Sequence, residues 1–198
     1  MKIQIILGST RPGREVVKVG KWVAAAASDV EGFEVETVDL ADYALPFFNE
    51  AISPRYNPDR KPEAVVQSFM DKLASADGFI FVTPEYNHSI PGVLKNALDY
   101  LTSEMVHKPA AIVSYGTVGG ARSAEHLKTI LLEIRAGVVP EATALVGMPS
   151  QVMNEDGVLN ADVAANPYGP AAALQTTLTE LAWWTRATKA AQAELAAV

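Results

Sequence analysis

The feature that most constrains the fold is an alternation of two kinds of segment along the chain. Short runs rich in β-branched and aromatic residues occupy 2–8, 33–40, 78–83, 109–115 and 138–147, and apolar residues at helical spacing occupy 15–28, 62–75, 91–101, 120–135 and the stretch from 170 onward. The central runs, such as GFIFVT at 78–83, are apolar throughout, which indicates a parallel sheet covered by helices on both faces. We therefore expect a single doubly wound α/β domain over residues 1–198.

Composition narrows the functions open to such a domain. The 198 residues include 16 Lys and Arg against 23 Asp and Glu, and this formal charge of −7 argues against a nucleic-acid partner. The chain has no cysteine, and His88, His107 and His126 lack partners at metal-ligand spacing, so no metal site is expected. No apolar run approaches the roughly 18 residues that span a bilayer. The N-terminus leads into a strand pattern rather than a signal peptide, and we expect a cytoplasmic protein without a membrane partner.

The turn after the first predicted strand, GSTRPGRE at 8–15, has the chemistry of a phosphate site. It combines hydroxyl groups, two guanidinium groups and backbone amides at a helix N-terminus, where an anion is favoured. Because Pro12 has no N–H, we expect the donors to be the amides of Thr10, Arg11, Gly13 and Arg14. The spacing imitates a P-loop but lacks its Lys-Ser/Thr pair, and no G-x-G-x-x-G is present, so neither a nucleoside triphosphatase nor a Rossmann dinucleotide site is indicated. The alternative is an ordinary turn with solvated arginines.

Two further loops are predicted at the same edge of the sheet, where ligands of open α/β sheets bind. TPEYNHSIPG at 83–92 offers the flat ring of Tyr86 and the amide of Asn87, which suit a planar heterocycle; its structural alternative is a turn in which Ser89 caps the next helix. SYGTVGGAR at 114–122 has three glycines within five residues, which permit close approach of the backbone to a ligand. Together the three loops predict a site for a phosphorylated planar molecule.

These loops resemble the NADPH-dependent FMN reductase family over about residues 1–150. The resemblance rests on GSTRPGR at 8–14, PEYN at 84–87 followed by IPGVLKNA at 90–97, and SYG at 114–116 leading to Gly119 and Gly120. LPFFN at 45–49 is similar to the family's second loop. The resemblance implies a flavodoxin-like fold, with a five-stranded parallel sheet in the order 2-1-3-4-5 and FMN at its carboxyl edge.

The resemblance also implies which residues bind the cofactor. Ser9, Arg11 and Arg14 would hold the 5′-phosphate with Glu15 nearby, although many relatives carry serine where this chain has Arg14. The isoalloxazine and ribityl chain would be lined by Pro84, Glu85, Tyr86 and Asn87. The other edge of the ring would be approached by Ser114, Tyr115, Gly116, Gly119 and Gly120.

The implied reaction passes a hydride from NADPH or NADH to FMN, and electrons then reach a flavin, quinone, azo or similar acceptor. The cofactor performs this chemistry, so no catalytic acid, base or nucleophile is expected from the protein. Backbone amides of the 114–120 turn are expected to stabilise negative charge on the reduced flavin. The resemblance further implies a homodimer or homotetramer with the flavin near the subunit interface.

Three alternatives stay open at the level of sequence. The chain could be a flavodoxin-type electron carrier or flavin-binding regulatory protein without NAD(P)H turnover of its own, a reductase of metal ions, or a phosphate binder without flavin. Two long loops, 41–60 and 149–169, exceed the usual length of such connections. We expect them to form the acceptor site together with a neighbouring subunit.

Overall fold

Alternating strands and helices build the chain, as the periodicity predicts. The computed structural model describes residues 1–196, with side chains except those of 141–146 and 196. The strands are β1 Lys2–Leu7, β2 Glu34–Asp39, β3 Gly78–Pro84, β4 Pro109–Gly116 and β5 Gly137–Val146. The helices are α1 Val16–Ser28, α2 Ala64–Ala74, α3 Gly92–Asp99, α4 Ala121–Glu133, α5 Pro149–Val152, α6 Ala161–Ala165 and α7 Pro170–Ala196. The short helices α5 and α6 and the 3-10 turn Pro54–Tyr56 lie inside the two long loops, where the sequence predicted no regular structure. A second 3-10 turn, Leu40–Asp42, begins at the residue predicted to end the strand 33–40.

The five strands form one parallel sheet in the order β2-β1-β3-β4-β5. This is the order implied by the resemblance, and the flavodoxin-like fold is confirmed. Leu7 is paired with Val82 and Pro84 with Tyr115, so the carboxyl ends of β1, β3 and β4 meet at one edge. The turn that follows each of these strands therefore opens onto the same side of the molecule.

Helices cover both faces of the sheet and bury two apolar clusters. Val19 and Val23 of α1 and Leu178 of α7 pack on one face. Helices α2, α3 and α4 pack on the other through residues such as Phe69 and Leu127. Among the described residues, no helix combines the length and the apolar character needed to cross a membrane.

The two long loops lie on opposite faces of the sheet. Tyr43, Leu45 and Phe48 of loop 41–60 pack against the cluster under α2, α3 and α4. Met153 of loop 149–169 belongs to the cluster under α1 and α7, and Leu159 packs against it. Within one chain the two loops are therefore apart, and a shared acceptor site with a neighbouring subunit stays a prediction.

Candidate functional site

Three loops meet at the carboxyl edge of the sheet. Of the thirteen residues predicted to bind the cofactor, eight lie in these loops, four are at the ends of β3 and β4, and Glu15 directly precedes α1. Loop 9–14 joins β1 to α1, loop 85–91 joins β3 to α3, and loop 117–120 joins β4 to α4. A hydroxyl–hydroxyl contact joins the first two, because Ser9 Oγ lies 2.9 Å from the Tyr86 hydroxyl. The backbone joins the second and third, because the Glu85 amide donates to the Tyr115 carbonyl at 3.1 Å.

The two arginines of loop 9–14 have different partners. The Arg14 guanidinium donates to the Ser9 carbonyl at 2.6 Å and to Asp39 Oδ1 at 2.7 Å, and a second nitrogen reaches the other carboxylate oxygen of Asp39. Asp39 is the last residue of β2, which lies beside β1 in the sheet. Arg14 is therefore held by a two-pronged ion pair that closes the loop against the neighbouring strand.

The Arg11 guanidinium pairs with no carboxylate among the described side chains, which leave out that of Glu141. It lies 5.9 Å from the centre of the Tyr86 ring, within range of a cation–π contact, and Arg11 is exposed. Its charge is consequently available to an anion that enters the loop.

The backbone amides of loop 9–14 differ in part from the expected donor set. The Arg14 amide is already used, since it donates to the Arg11 carbonyl at 3.1 Å and closes a turn in which Gly13 has a φ of +66°. The Arg11 amide lies 3.4 Å from Ser9 Oγ. The amides of Thr10 and Gly13 have no hydrogen-bond partner in the described part of the chain. Two of the four expected donors thus face solvent unbonded.

Loop 85–91 begins with a tight two-residue turn. The backbones of Tyr86 and Ser89 exchange hydrogen bonds at 2.9 and 3.1 Å, and Asn87 and His88 between them have positive φ angles of 49° and 68°. This pattern is that of a type I′ turn, in which asparagine is favoured at the first position. The Ser89 hydroxyl lies 2.6 Å from His126 Nδ1 instead of capping α3, which begins after Pro91, so the predicted cap at Ser89 is wrong.

The Glu85 carboxylate connects this loop to the start of α4. It accepts from the Arg122 amide at 3.1 Å and lies 2.6 Å from Arg122 Nε, and only 8% of its side chain is exposed. The same guanidinium contacts His88 Nε2 at 2.8 Å. Glu85 therefore satisfies a free amide at the N-terminus of α4 and fixes the spacing between the two loops.

The glycine-rich turn after β4 is folded back on itself. Gly119 and Gly120 have φ angles of +72° and +70°, and the Ser114 hydroxyl donates to the Gly119 carbonyl at 2.9 Å. A Cβ on Gly120 would lie 2.7 Å from the Tyr115 amide nitrogen. Only glycine fits at position 120 without rearrangement of the turn, and the hydrogen bond from Ser114 holds the turn against the end of β4.

Two predicted residues have side chains committed elsewhere. Tyr115 is 4% exposed and belongs to the cluster under α1 and α7; burial, with smaller contributions from Tyr86 and Glu15, raises the pKa of its hydroxyl above the ordinary value. The Glu15 carboxylate lies 3.1 Å from Lys18 Nζ, which also binds Glu155. The side chains of Tyr115 and Glu15 therefore pack behind the loops, and Tyr115 contributes only its backbone to the carboxyl edge of the sheet.

A cleft of about 350 Å³ opens beside loop 9–14 on the side of β2. Its walls include Thr10, Leu45, Phe47, Val93 and Asn96. Phe47 is 89% exposed, and Asn96 holds the adjoining segment by accepting from the Phe48 amide and donating to the Pro46 carbonyl, each at 2.8 Å. Loop 41–60 thus places an apolar surface next to the candidate phosphate loop.

Sequence reasoning missed Asp39 and Arg122, the partners of two predicted site residues. A signal for Asp39 was present, because a carboxylate that ends a strand next to β1 must lie near the β1 loop once the strand order is known. Arg122 gave no such signal, since its pairing with Glu85 depends on the orientation of α4.

The donor set of this edge fits FMN. An unpaired guanidinium, two free amides and a hydroxyl group suit a phosphate monoester. The Tyr86 ring and the folded glycine turn lie in adjoining loops, and they supply the aromatic face and the accessible backbone that suit a planar ring system. Within residues 1–196 no cluster of His, Asp and Glu side chains suits a metal ion.

Comparison with known proteins agrees with this fit. A family model described as NADPH-dependent FMN reductase matches residues 1–150. An NAD(P)H-dependent FMN reductase of Schizosaccharomyces pombe is 39% identical over 144 residues, which cover 73% of this chain and 72% of that protein. A quinone reductase of Escherichia coli is 33% identical over 162 residues, covering 74% of this chain and 79% of its own length.

A solved structure is similar over almost the whole chain. FerB of Paracoccus denitrificans, a flavoenzyme NAD(P)H:(acceptor) oxidoreductase, has a TM-score of 0.71 and 26% identity, and the match covers 94% of this chain and 98% of that one.

Proposed function

Because the chain belongs to the NADPH-dependent FMN reductase family, we propose that loop 9–14 holds the 5′-phosphate of FMN in this flavin-dependent NAD(P)H oxidoreductase. The observation that carries the assignment is the pairing of Arg14 with Asp39, which leaves Arg11 as the free cation of the loop. Arg11 and the amides of Thr10 and Gly13 bind the phosphate directly, and the Ser9 hydroxyl, which is buried beside the Tyr86 hydroxyl, reaches it from behind the loop. Arg14 keeps the loop in the conformation that exposes them.

When bound, FMN accepts a hydride from NAD(P)H and passes the electrons to an acceptor. The protein orients the flavin and tunes its environment. Tyr86 and Asn87 line one side of the flavin through the tight turn, and the 114–120 turn approaches the other through its backbone. Glu85 acts on the flavin indirectly, because its carboxylate is bonded to Arg122.

The test is an absorbance titration of the full chain reconstituted with FMN. Under anaerobic conditions, NADPH or NADH is added stepwise, and bleaching of the visible absorption band of the oxidised flavin is the expected result. A bound flavin that neither nucleotide bleaches would support an electron carrier. Failure to take up FMN would support a phosphate binder and contradict the proposal.

For the acceptor, we propose a quinone or a free flavin. Support comes from the related quinone reductase and from the apolar cleft beside loop 9–14, whose walls suit a flat aromatic molecule. Steady-state rates with menadione, free FMN, an azo dye and ferric citrate rank the acceptors. Menadione reduction no faster than the reaction with dioxygen alone would contradict the quinone assignment.

The oligomer we propose is a homodimer that buries the exposed apolar residues around this cleft. Phe47 is 89% exposed and Val93 40%, and exposed apolar clusters of this kind mark interaction surfaces. A Phe47→Asp variant is expected to sediment as a monomer. Tyr168→Asp is the matched control, because Tyr168 is 97% exposed but lies in loop 149–169 on the other face.

We also propose that the protein works in the cytoplasm. The compartment supplies NAD(P)H, and a chain without cysteine needs no oxidising environment. Recovery of the protein in the membrane or secreted fraction would contradict this.

A further inference from the structure

An open groove lies at the amino edge of the sheet, opposite the three loops. It has a volume of about 480 Å³ and lies between the end of α4, the starts of β4 and β5, and the last turns of α7. Its apolar walls are formed by Pro109, Leu132, Ala136, Trp184, Ala191 and Leu195. The groove and the candidate flavin site lie at opposite ends of β4. At about 3.3 Å per residue, the eight residues of this strand separate them by roughly 26 Å.

Two residues with left-handed backbones line this groove. His107 has a φ of +60° and Arg135 a φ of +62°, and the His107 amide donates to the Arg135 carbonyl at 3.0 Å. Arg135 follows α4, where the Ala136 amide closes the helix end by donating to the Leu131 carbonyl. Glycine is strongly preferred at this position of such a helix end. An arginine there costs stability, and strain of this kind is concentrated at functional sites.

The charge of the groove has one sign. Among the described residues that line it, Arg135 is the cation and none is a carboxylate, although the whole chain has a formal charge of −7. Arg135 is exposed and forms no ion pair with any of the side chains that the structure describes. Trp184 is 38% exposed and Leu132 62%, so apolar surface is open to solvent directly beside an unpaired cation.

We propose that this groove is a second binding site, for a small carboxylate with an aromatic or alkyl body. The carboxylate pairs with Arg135, and the body lies against Trp184 and Leu132. Charge complementarity decides the class of ligand, because a neutral apolar molecule leaves the guanidinium unused and a cation is repelled. The site is independent of the flavin, so FMN-loaded protein retains it.

The test is calorimetric titration of the FMN-loaded full chain with naphthalene-2-carboxylate. Naphthalene-2-carboxamide, which has the same shape without the charge, is expected to bind at least tenfold more weakly. Arg135→Gln should weaken carboxylate binding about five- to tenfold, leave the carboxamide unchanged and leave NADPH oxidation unaltered. Arg186→Gln is the control, because Arg186 is exposed on α7 and does not line the groove.

A second variant separates ligand binding from structure. Arg135→Gly removes the strain and the cation together, so its thermal midpoint should rise while carboxylate affinity falls. Equal affinity for carboxylate and carboxamide, or unchanged affinity in both Arg135 variants, would overturn the proposal. Failure of the carboxylate to bind would also overturn it. If Leu132→Asp then split an oligomer in sedimentation, a second copy of the chain would be the molecule that covers the groove.

Discussion

At the level of single residues, Arg11 and Arg14 show that two identical side chains three positions apart can have different roles. Arg14 is bonded to Asp39 and to the Ser9 carbonyl, whereas Arg11 rests on the Tyr86 ring without a carboxylate partner. A phosphate gains most from a cation that gives up no other partner. The direct contact to FMN is therefore assigned to Arg11.

Replacement of Arg11 by glutamine is expected to weaken FMN binding about 10- to 100-fold, the usual worth of one charged hydrogen bond to phosphate. Flavin fluorescence quenching measures the dissociation constant. Riboflavin, which has no phosphate, should bind Arg11→Gln and wild type equally, and Arg186→Gln should bind FMN normally. If Arg11→Gln weakened riboflavin binding as much as FMN binding, Arg11 would contact the isoalloxazine ring rather than the phosphate.

Gly119 provides a second test at this scale, because its φ of +72° strains any side chain with a branched Cβ. Gly119→Val should weaken FMN binding at least about tenfold and make the flavin potential more negative, because a refolded turn would displace the amides proposed to stabilise the reduced flavin. Spectroelectrochemistry measures the potential. Gly137→Ala at the opposite edge, where φ is ordinary, is the control. Unchanged affinity and potential would remove the 114–120 turn from the flavin site.

At the level of elements, the position of each loop depends on a contact with a neighbouring helix or strand. Asp39 at the end of β2 holds loop 9–14, and Arg122 at the start of α4 holds loop 85–91 through Glu85. Gly157 brings loop 149–169 against α1, with its α-carbon so close that a Cβ would lie 2.6 Å from the Lys18 carbonyl oxygen. Each of these loops is therefore held by a contact with an element outside it.

The bridge formed by Glu85 can be broken without changing the direct FMN contacts. Glu85→Ala leaves the Arg122 amide and guanidinium without this partner, so we expect a loss of about 1–3 kcal/mol in urea unfolding and a several-fold weaker affinity for FMN. Glu85→Gln keeps an acceptor for the Arg122 amide, so its stability and its FMN affinity should lie between those of wild type and Glu85→Ala. Glu125→Gln on the exposed side of α4 is the control. Wild-type FMN affinity in Glu85→Ala would contradict the positioning role.

The docking of loop 149–169 predicts a strong effect from a single methyl group. Gly157 has a φ of +79°, and an added Cβ would also lie 2.7 Å from the Trp22 amide nitrogen. Gly157→Ala should lower the free energy of unfolding by on the order of 2–4 kcal/mol. Gly92→Ala, where nothing lies within 4 Å of the new Cβ, should change it by less than about 1 kcal/mol. Similar losses in both variants would refute the close contact.

At the level of the whole molecule, the edge strand β2 is tied to the sheet and to α2 by one carboxylate. Glu36 accepts from Gln4 of β1 at 3.0 Å and from Lys72 of α2 at 2.7 Å. The Lys72 ammonium is the main cause that lowers the pKa of Glu36 from 4.5 to about 2, against the opposing effect of burial. The folded state therefore binds this proton less readily than the unfolded chain does.

The sign of this shift predicts how stability depends on pH. Since the folded pKa is depressed, the contribution of Glu36 is fully present above about pH 4.5 and is lost as the pH falls towards about 2. Glu36→Gln should be roughly 0.5–1 kcal/mol less stable at neutral pH, because the pair is partly exposed to solvent. Urea unfolding at several pH values should show this difference vanish in acid. Glu34→Gln, an exposed neighbour on β2, should show no such trend.

The sequence by itself determined the number, kind and order of the main elements, because apolar periodicity reports which faces are buried. It also brought all three motif loops to one edge, since parallel strands put their carboxyl ends together. The residues named for the cofactor lie there, and their contacts with FMN stay predictions. The short helices α5 and α6 were missed, because four or five residues make little more than one helical turn and show no repeating apolar spacing.

Only the tertiary structure decided which polar side chains pair with each other. Arg14 with Asp39, Glu85 with Arg122 and Ser89 with His126 join residues 25 to 37 positions apart. Periodicity shows that a helix is amphipathic but not how it is rotated or which strand lies beside it. Ion pairs depend on how each helix is rotated and on which strands are neighbours. The sequence could therefore name the charged residues of the site, but only the fold could show that Arg11 is the arginine without a carboxylate partner.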